Sequence, residues 1–318
     1  MTKSRKLLFL ALLVVLVAAT AFLIMQRVAR PPEAARLLPE GDTLIYANLR
    51  PIHLFESNKP APLQMEEGYK DFVQQTGIQP ERDLDEVALS RQDTSDGRDV
   101  ESSEVFVGRF DRSRTSNYFQ KIAAGKEQYL DKTIFSLPHE GHIVRVCILT
   151  DKIIAVTNME SAGVMHRIID HLGSSGIPTL LETHYRQVPT ASVAWMISRI
   201  PAKPNGMQLP GGMSFSFHQE AVAVASLRYA GEVMFRADFL TQSDDDARQL
   251  ADSLHTFLAI SRAASALGRD RDVKSAFDSV HIQQKGTIAE VTATLPQNFL
   301  KKAVSEIQLE GNAPSSGK

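Results

Sequence analysis

A chain of 318 residues with 35 Lys and Arg against 37 Asp and Glu is almost electrically neutral. That balance argues against a broad nucleic-acid surface, which needs a basic face, and against a polyanionic tail. The single cysteine, Cys147, excludes an internal disulfide, and its apolar surroundings in sequence mark it as a small core residue.

Lys3, Arg5 and Lys6 precede an uncharged apolar run from Leu7 to Met25, and Gln26, Arg27 and Arg30 follow it. About 19 residues at 1.5 Å rise approach the roughly 30 Å hydrocarbon core of a bilayer. We read the run as an uncleaved, single-pass anchor whose partner is the lipid bilayer. The competing reading is a cleaved signal with Ala19-Thr20-Ala21 as its exit. Cutting there would leave Phe22-Leu23-Ile24-Met25 as an apolar new terminus, and the run exceeds the roughly 7–15 residues of a signal core. A buried helix of a soluble domain would show a polar face, and none interrupts the run. Basic residues flank both ends and lean toward a cytoplasmic N-terminus. Residues 31–318 are therefore expected outside the cytoplasmic membrane of a bacterium. No cysteine adjoins the run to carry a lipid, and no second run is long enough to span.

Residues 31–39 read as a linker stiffened by Pro31-Pro32, with one helical turn at Glu33-Ala34-Ala35-Arg36. Leu38-Pro39-Glu40-Gly41-Asp42 is turn chemistry, and Thr43–Leu49 opens the folded part as a strand. Gln64–Gly77 has helical spacing, with Met65, Tyr69, Phe72 and Val73 on one side and Gly77 as its stop. A strand at Glu86–Ser90, a loop dense in Asp, Ser and Gly at Arg91–Ser103, and a strand at Glu104–Phe110 follow. Ser113–Gln128 reads as a helix with Tyr118, Phe119 and Ile122 inward. Three short strands, Thr133–Leu137, Ile143–Thr150 and Lys152–Thr157, precede a helix at Ser161–Leu172.

After Pro178 the order begins again. Ser192–Ile200 is a strand, Glu220–Arg228 and Glu232–Leu240 form a hairpin, and a long helix starts at Ser243. Val280–Gln284 and Ile288–Leu295 close the pattern, Gln297–Ile307 is a short final helix, and 309–318 is a loose tail. The fold class is α+β: an N-terminal transmembrane helix within 1–30, then two similar halves, 40–180 and 185–308. Each half is mainly antiparallel sheet with helices packed on one face.

Two short segments carry a resemblance. Leu38-Pro39-Glu40-Gly41-Asp42 leading into Thr43–Leu49, and Gly77-Ile78-Gln79-Pro80-Glu81-Arg82-Asp83-Leu84-Asp85-Glu86-Val87, are similar to turn signatures of uncharacterised, membrane-anchored exported bacterial proteins. The resemblance implies an exported α+β domain and no particular activity.

Motifs that carry chemistry are sparse. His139-Glu140-Gly141-His142 is the one compact set of metal-ligand types, and His139 and His142 are the candidate metal residues. The zincin pattern puts two residues between Glu and the second His on a helix, whereas these four sit between strands and read as a polar turn. Asp244-Asp245-Asp246 behind Ser243 reads as a helix start, and Asp83, Asp85 and Glu86 as a solvated turn. His166 and His171 share no helix face. Pro210-Gly211-Gly212-Met213 lacks the Lys of a phosphate loop, and Trp195 reads as core. No Gly-x-Ser-x-Gly elbow, dinucleotide glycine fingerprint or paired Cys-x-x-Cys occurs.

No catalytic residue and no cofactor is implied. The expectation is a tethered extracytoplasmic binding protein whose partner is an envelope component or a second copy, with no nucleic acid. Two alternatives stand beside it. One is an extracytoplasmic hydrolase, with His139 and His142 near its site. The other is a homo-oligomeric envelope element joined through an edge such as Ile288–Leu295.

Overall fold

Apolar and polar residues alternate along many of the strands, and most of the strands pair into one antiparallel sheet. The computed structural model describes residues 30–51, 67–93, 100–139, 141–174, 176–208, 214–217, 219–229, 231–267 and 271–296. The expected anchor at Leu7–Met25, the tip of the Arg91–Ser103 loop, the Pro210–Met213 loop, the final helix at Gln297–Ile307 and the tail lie outside these residues. Among the described residues no helix is long and apolar enough to cross a membrane.

The first half runs α1 (Glu33–Arg36), β1 (Thr43–Asn48), α2 (Glu67–Thr76), α3 (Pro80–Asp83), β2 (Leu84–Asp93), β3 (Val100–Gly108), α4 (Arg112–Ile122), β4 (Gly125–Tyr129), β5 (Lys132–His139), β6 (His142–Thr150), β7 (Ile153–Thr157), α5 (Gly163–Gly173) and α6 (Thr179–His184). The second runs β8 (Ser192–Ile200), β9 (Lys203–Gln208), β10 (Ser214–Phe217), β11 (Ala221–Tyr229), β12 (Val233–Leu240), α7 (Asp244–Leu267), α8 (Arg271–Asp278), β13 (His281–Lys285) and β14 (Ile288–Leu295). Twelve strands share one sheet in the order β13-β14-β12-β11-β8-β1-β2-β3-β7-β6-β5-β4, and β9 and β10 pair separately. β1 and β8 lie side by side at the centre, with Leu44 opposite Ile197 and Tyr46 opposite Trp195. Outward from each, a hairpin comes next, and then the last strand of that half before the strand that precedes it.

The pleat sends successive residues to opposite faces, and both faces are covered. On the first face, Leu44, Tyr46, Val105, Cys147, Trp195 and Ile197 pack in one cluster with α1, α5 and α6. On the other face, Phe135, Val146, Ile148 and Ile154 pack against Phe72 of α2 and Phe119 of α4. Leu250 and Ala251 of α7 meet Ala289 of β14, with Phe239 partly buried beside them. Helices therefore lie on both faces, which corrects the expectation of one covered face. The reason is in the strands: β5, β6 and β7 are apolar at consecutive positions, as in Phe135 after Ile134 and Ile154 after Ile153, so each has two sides to bury.

The expected linker is also corrected. Ala34, Ala35 and Leu38 are 0% exposed and Leu37 is 3% exposed. The small alanines let one helical turn approach β1, β2 and β3, and Leu37 and Leu38 then drop into the core. Two polar contacts hold the segment. The Leu38 carbonyl accepts from His171 Nδ1 at 3.1 Å, and the Glu40 carboxylate accepts from the Thr179 amide at 2.8 Å. A carboxylate at the start of α6 also satisfies a free helical N–H.

Three smaller differences follow from local chemistry. The helix expected to Gln128 stops at Ile122, and Gly125, a poor helix former, leads into β4. Ile288–Leu295 is not an edge: β14 pairs with β12 on one side and β13 on the other, so β13 and β4 are the outer strands. Asp83 is 8% exposed, not solvated, because its carboxylate accepts from the Gln79 amide at 2.9 Å. The Asp244–Asp246 run behaves as expected of a helix start, with Ser243 Oγ accepting from the Asp246 amide at 3.1 Å.

Candidate functional site

A cleft of about 500 Å³ opens between the sheet and α2 and α4. Its floor is the face of β3, β6 and β7 that carries Phe106, Val146, Ile154 and Val156. Phe72 of α2 and Phe119 and Ile122 of α4 form the walls, and Leu137, Pro138 and His139 form the lip. Among the described lining residues His139 alone is polar. A volume in this range is typical of small-molecule sites, but the near absence of polar lining groups is not.

The walls are fixed by side chains the sequence places at helical spacing. Phe72 meets Tyr118 edge-on at 5.6 Å, and Phe119 lies 6.1 Å from Phe135 of β5. Arg114 of α4 donates to the Gln74 and Gln75 carbonyls at 2.9 and 3.2 Å, where the last carbonyls of α2 lack helical partners. Gly77 ends α2 at φ +76°, a conformation that suits glycine, and a Cβ there would stand 2.7 Å from Arg114 Nη1. Gly108 lets β3 pass close to α3, since a Cβ would come within 2.3 Å of the Asp83 carbonyl.

Each candidate from the sequence has a definite place. His139 and His142 stand opposite each other across the β5–β6 turn, on the cleft side of the sheet, and both are exposed. No group of three His, Cys, Asp or Glu able to hold a metal occurs among the described residues. Glu140 lies outside them. His166 bonds Glu127 at 2.6 Å and lies flat on Tyr129, with ring centroids 3.9 Å apart, so it braces β4 against α5. Trp195 is 3% exposed between Tyr46 and Tyr185, as expected of core. Burial pushes the Cys147 thiol up to about 12, which keeps it protonated and unreactive.

Helical spacing predicts the inward side of Phe72, Phe119 and Ile122 but not the cleft, and Glu104 reads in the sequence only as the start of a strand. Glu104 points to the cleft face, opposite Val156 and two residues before Phe106, and burial pushes its carboxyl above the usual range. The signal was available: an acid in the inward phase of Glu104-Val105-Phe106-Val107. By contrast, burial pushes Asp83 up but hydrogen bonds from Arg82 and the Gln79 amide outweigh it and hold the carboxyl low.

No protein-family model matches the chain, and no curated protein matches it in sequence. Solved structures of TP0453 are similar to it across most of its length. Crystal forms IV and III are each 11% identical, with TM-scores of 0.45 and 0.48, covering 86% and 87% of this chain and 97% and 99% of theirs. Crystal form I is 12% identical at a TM-score of 0.46, covering 88% of this chain and 99% of its own.

Proposed function

We propose that this chain is a single-pass, membrane-anchored binding protein without catalysis, and that its cleft takes the apolar part of a ligand. The carrying observation is the cleft: about 500 Å³ whose described lining residues are apolar except His139 at the lip. Such a site gains affinity from chain burial, about 0.8 kcal/mol per methylene, and has few groups with which to do chemistry. The Leu7–Met25 run supplies the lipid contact and sets the folded part outside the cytoplasmic membrane, next to envelope components. The halves are copies of one unit in this reading, supported by the matching strand order on either side of β1 and β8.

The test has two parts. Full-length protein expressed in a bacterium is fractionated, and it stays with membranes through alkaline carbonate and is cut by protease added to spheroplasts. An organic extract of the purified full chain then contains an apolar compound in stoichiometric amount by mass spectrometry, and a Val156→Trp variant that fills the cleft loses it. Recovery of intact protein from the cytosol overturns the anchor. Equal ligand in both extracts overturns the cleft.

A further inference from the structure

Beside the cleft lining, on the same face of the sheet, stands a carboxylate that no described residue pairs with. Glu104 shares a face with Phe106 and sits across the ladder from Val156, and both of those side chains line the cleft. Facing residues in a ladder have Cβ atoms about 5 Å apart, so the Glu104 carboxylate lies beside the floor of the cleft. Its other ladder neighbour is Leu89. It is half-buried, and among the described residues it has no hydrogen-bond or ion-pair partner. The other buried acids are treated differently. Asp83 has Arg82 and the Gln79 amide, Glu86 has Arg50 and Tyr46, and Asp238 and Glu290 share Arg236. A desolvated carboxylate without a counter-charge costs stability, and unpaired charges of this kind gather at binding sites.

We propose that Glu104 receives the head of the ligand, and that the ligand is an amphiphile with a cationic amine on a single apolar chain. This rests on the cleft reading above and adds the head-group chemistry. The chain would fill the space over Phe106 and Val156, and the ammonium would donate charge-assisted hydrogen bonds to the carboxylate. Burial raises the Glu104 carboxyl, and an ammonium beside it would bring it back down. An anionic head would meet a like charge in a poorly solvated place.

The experiment uses the full chain in phosphatidylcholine nanodiscs and three photoreactive probes carrying a diazirine in the tail: dodecylamine, dodecanol and dodecanoate. Labelled peptides from β3 and β7 are quantified by mass spectrometry. Dodecylamine is expected to half-saturate labelling at a concentration roughly tenfold below dodecanol, with dodecanoate weakest. Glu104→Gln removes the preference for the amine over the alcohol, while Glu104→Asp keeps it. Equal labelling by amine and alcohol in the unaltered chain overturns the head-group assignment and leaves the cleft standing. So does an amine preference that survives Glu104→Gln. Absence of label from β3 and β7 with every probe overturns the cleft itself.

Discussion

Arg236 on β12 and Glu290 on β14 meet at 2.7 Å, and the Glu290 side chain is 3% exposed. Arg236 also holds Asp238 at 2.8 Å, and Lys285 gives Glu290 a second cation at 2.8 Å. The register explains the cluster: Asp238, Glu290 and Gln283 stand side by side on three adjacent strands, so two buried carboxylates need one shared guanidinium. Arg236→Ala leaves Asp238 without a cation and Glu290 with Lys285 alone, and is expected to cost about 2 kcal/mol, less than a wholly buried pair because the Arg236 side chain is 41% exposed. Lys285→Ala leaves Arg236 in place and costs less. Urea denaturation followed by the emission of Trp195, the single tryptophan, ranks the two variants.

The same cluster sets an acid limit on stability. Burial pushes the Glu290 carboxyl up, and Lys285, Gln283 and Arg236 together outweigh it and hold it below the usual range. The folded form therefore binds its proton less readily than the unfolded chain. The stabilisation is complete above the unfolded carboxyl value, about 4.3, and is lost as pH falls through the lower folded value. Asp83, depressed through Arg82 and the Gln79 amide, acts in the same direction. Urea midpoints measured from pH 6 down to pH 3 should fall, and Glu290→Gln should flatten that fall. An unchanged slope in the variant would remove Glu290 from the account.

Leu38 tests whether the stretch after the anchor belongs to the core. The side chain is 0% exposed in the cluster that also holds Trp195 and Ile197. Leu38→Ala is expected to cost about 3 kcal/mol through lost burial and the cavity left behind. A free linker would tolerate the change within about 0.5 kcal/mol. The comparison is a urea melt of the two full-length proteins.

Most of the sheet was legible because alternation is a local signal. Ser192–Ile200 and Ile288–Leu295 have the bounds that their β-branched and apolar pattern predicts, and the hairpin at Gly231 and the cap at Ser243 follow from single residues. What was missed depends on distant neighbours. Glu33–Arg36 looks like one helical turn of an exposed linker until β1, β2 and β3 close over its alanines. β4 is built from helix-forming Lys126, Glu127 and Gln128, and tertiary pairing with β5 overrides that preference. The cleft needed five strands and three helices to be placed together, so Phe72, Phe106 and Val156 carry no joint signal along the chain. Glu104 did stand out in phase, yet only the fold shows that none of the described residues answers it.

That solitary carboxylate yields the last prediction. Burial raises the Glu104 carboxyl in the folded protein, so the folded form holds its proton more tightly than the unfolded chain does. Its effect on stability therefore has the opposite sign to that of Glu290. Below the unfolded value the residue is neutral in both states and costs nothing by its charge. As pH rises through the raised folded value, the folded protein must carry a poorly solvated charge, and stability falls. Glu104→Gln removes this charge with little change of shape. At pH 7 the variant should have a higher urea midpoint than the parent, and the two curves should converge as the pH is lowered toward 4. A residue kept for packing would lose stability on substitution, whereas one kept for a ligand gives stability back when it is neutralised. A lower midpoint for Glu104→Gln at pH 7 would mean that the carboxylate is satisfied within the protein, and its role at the cleft would fail with it.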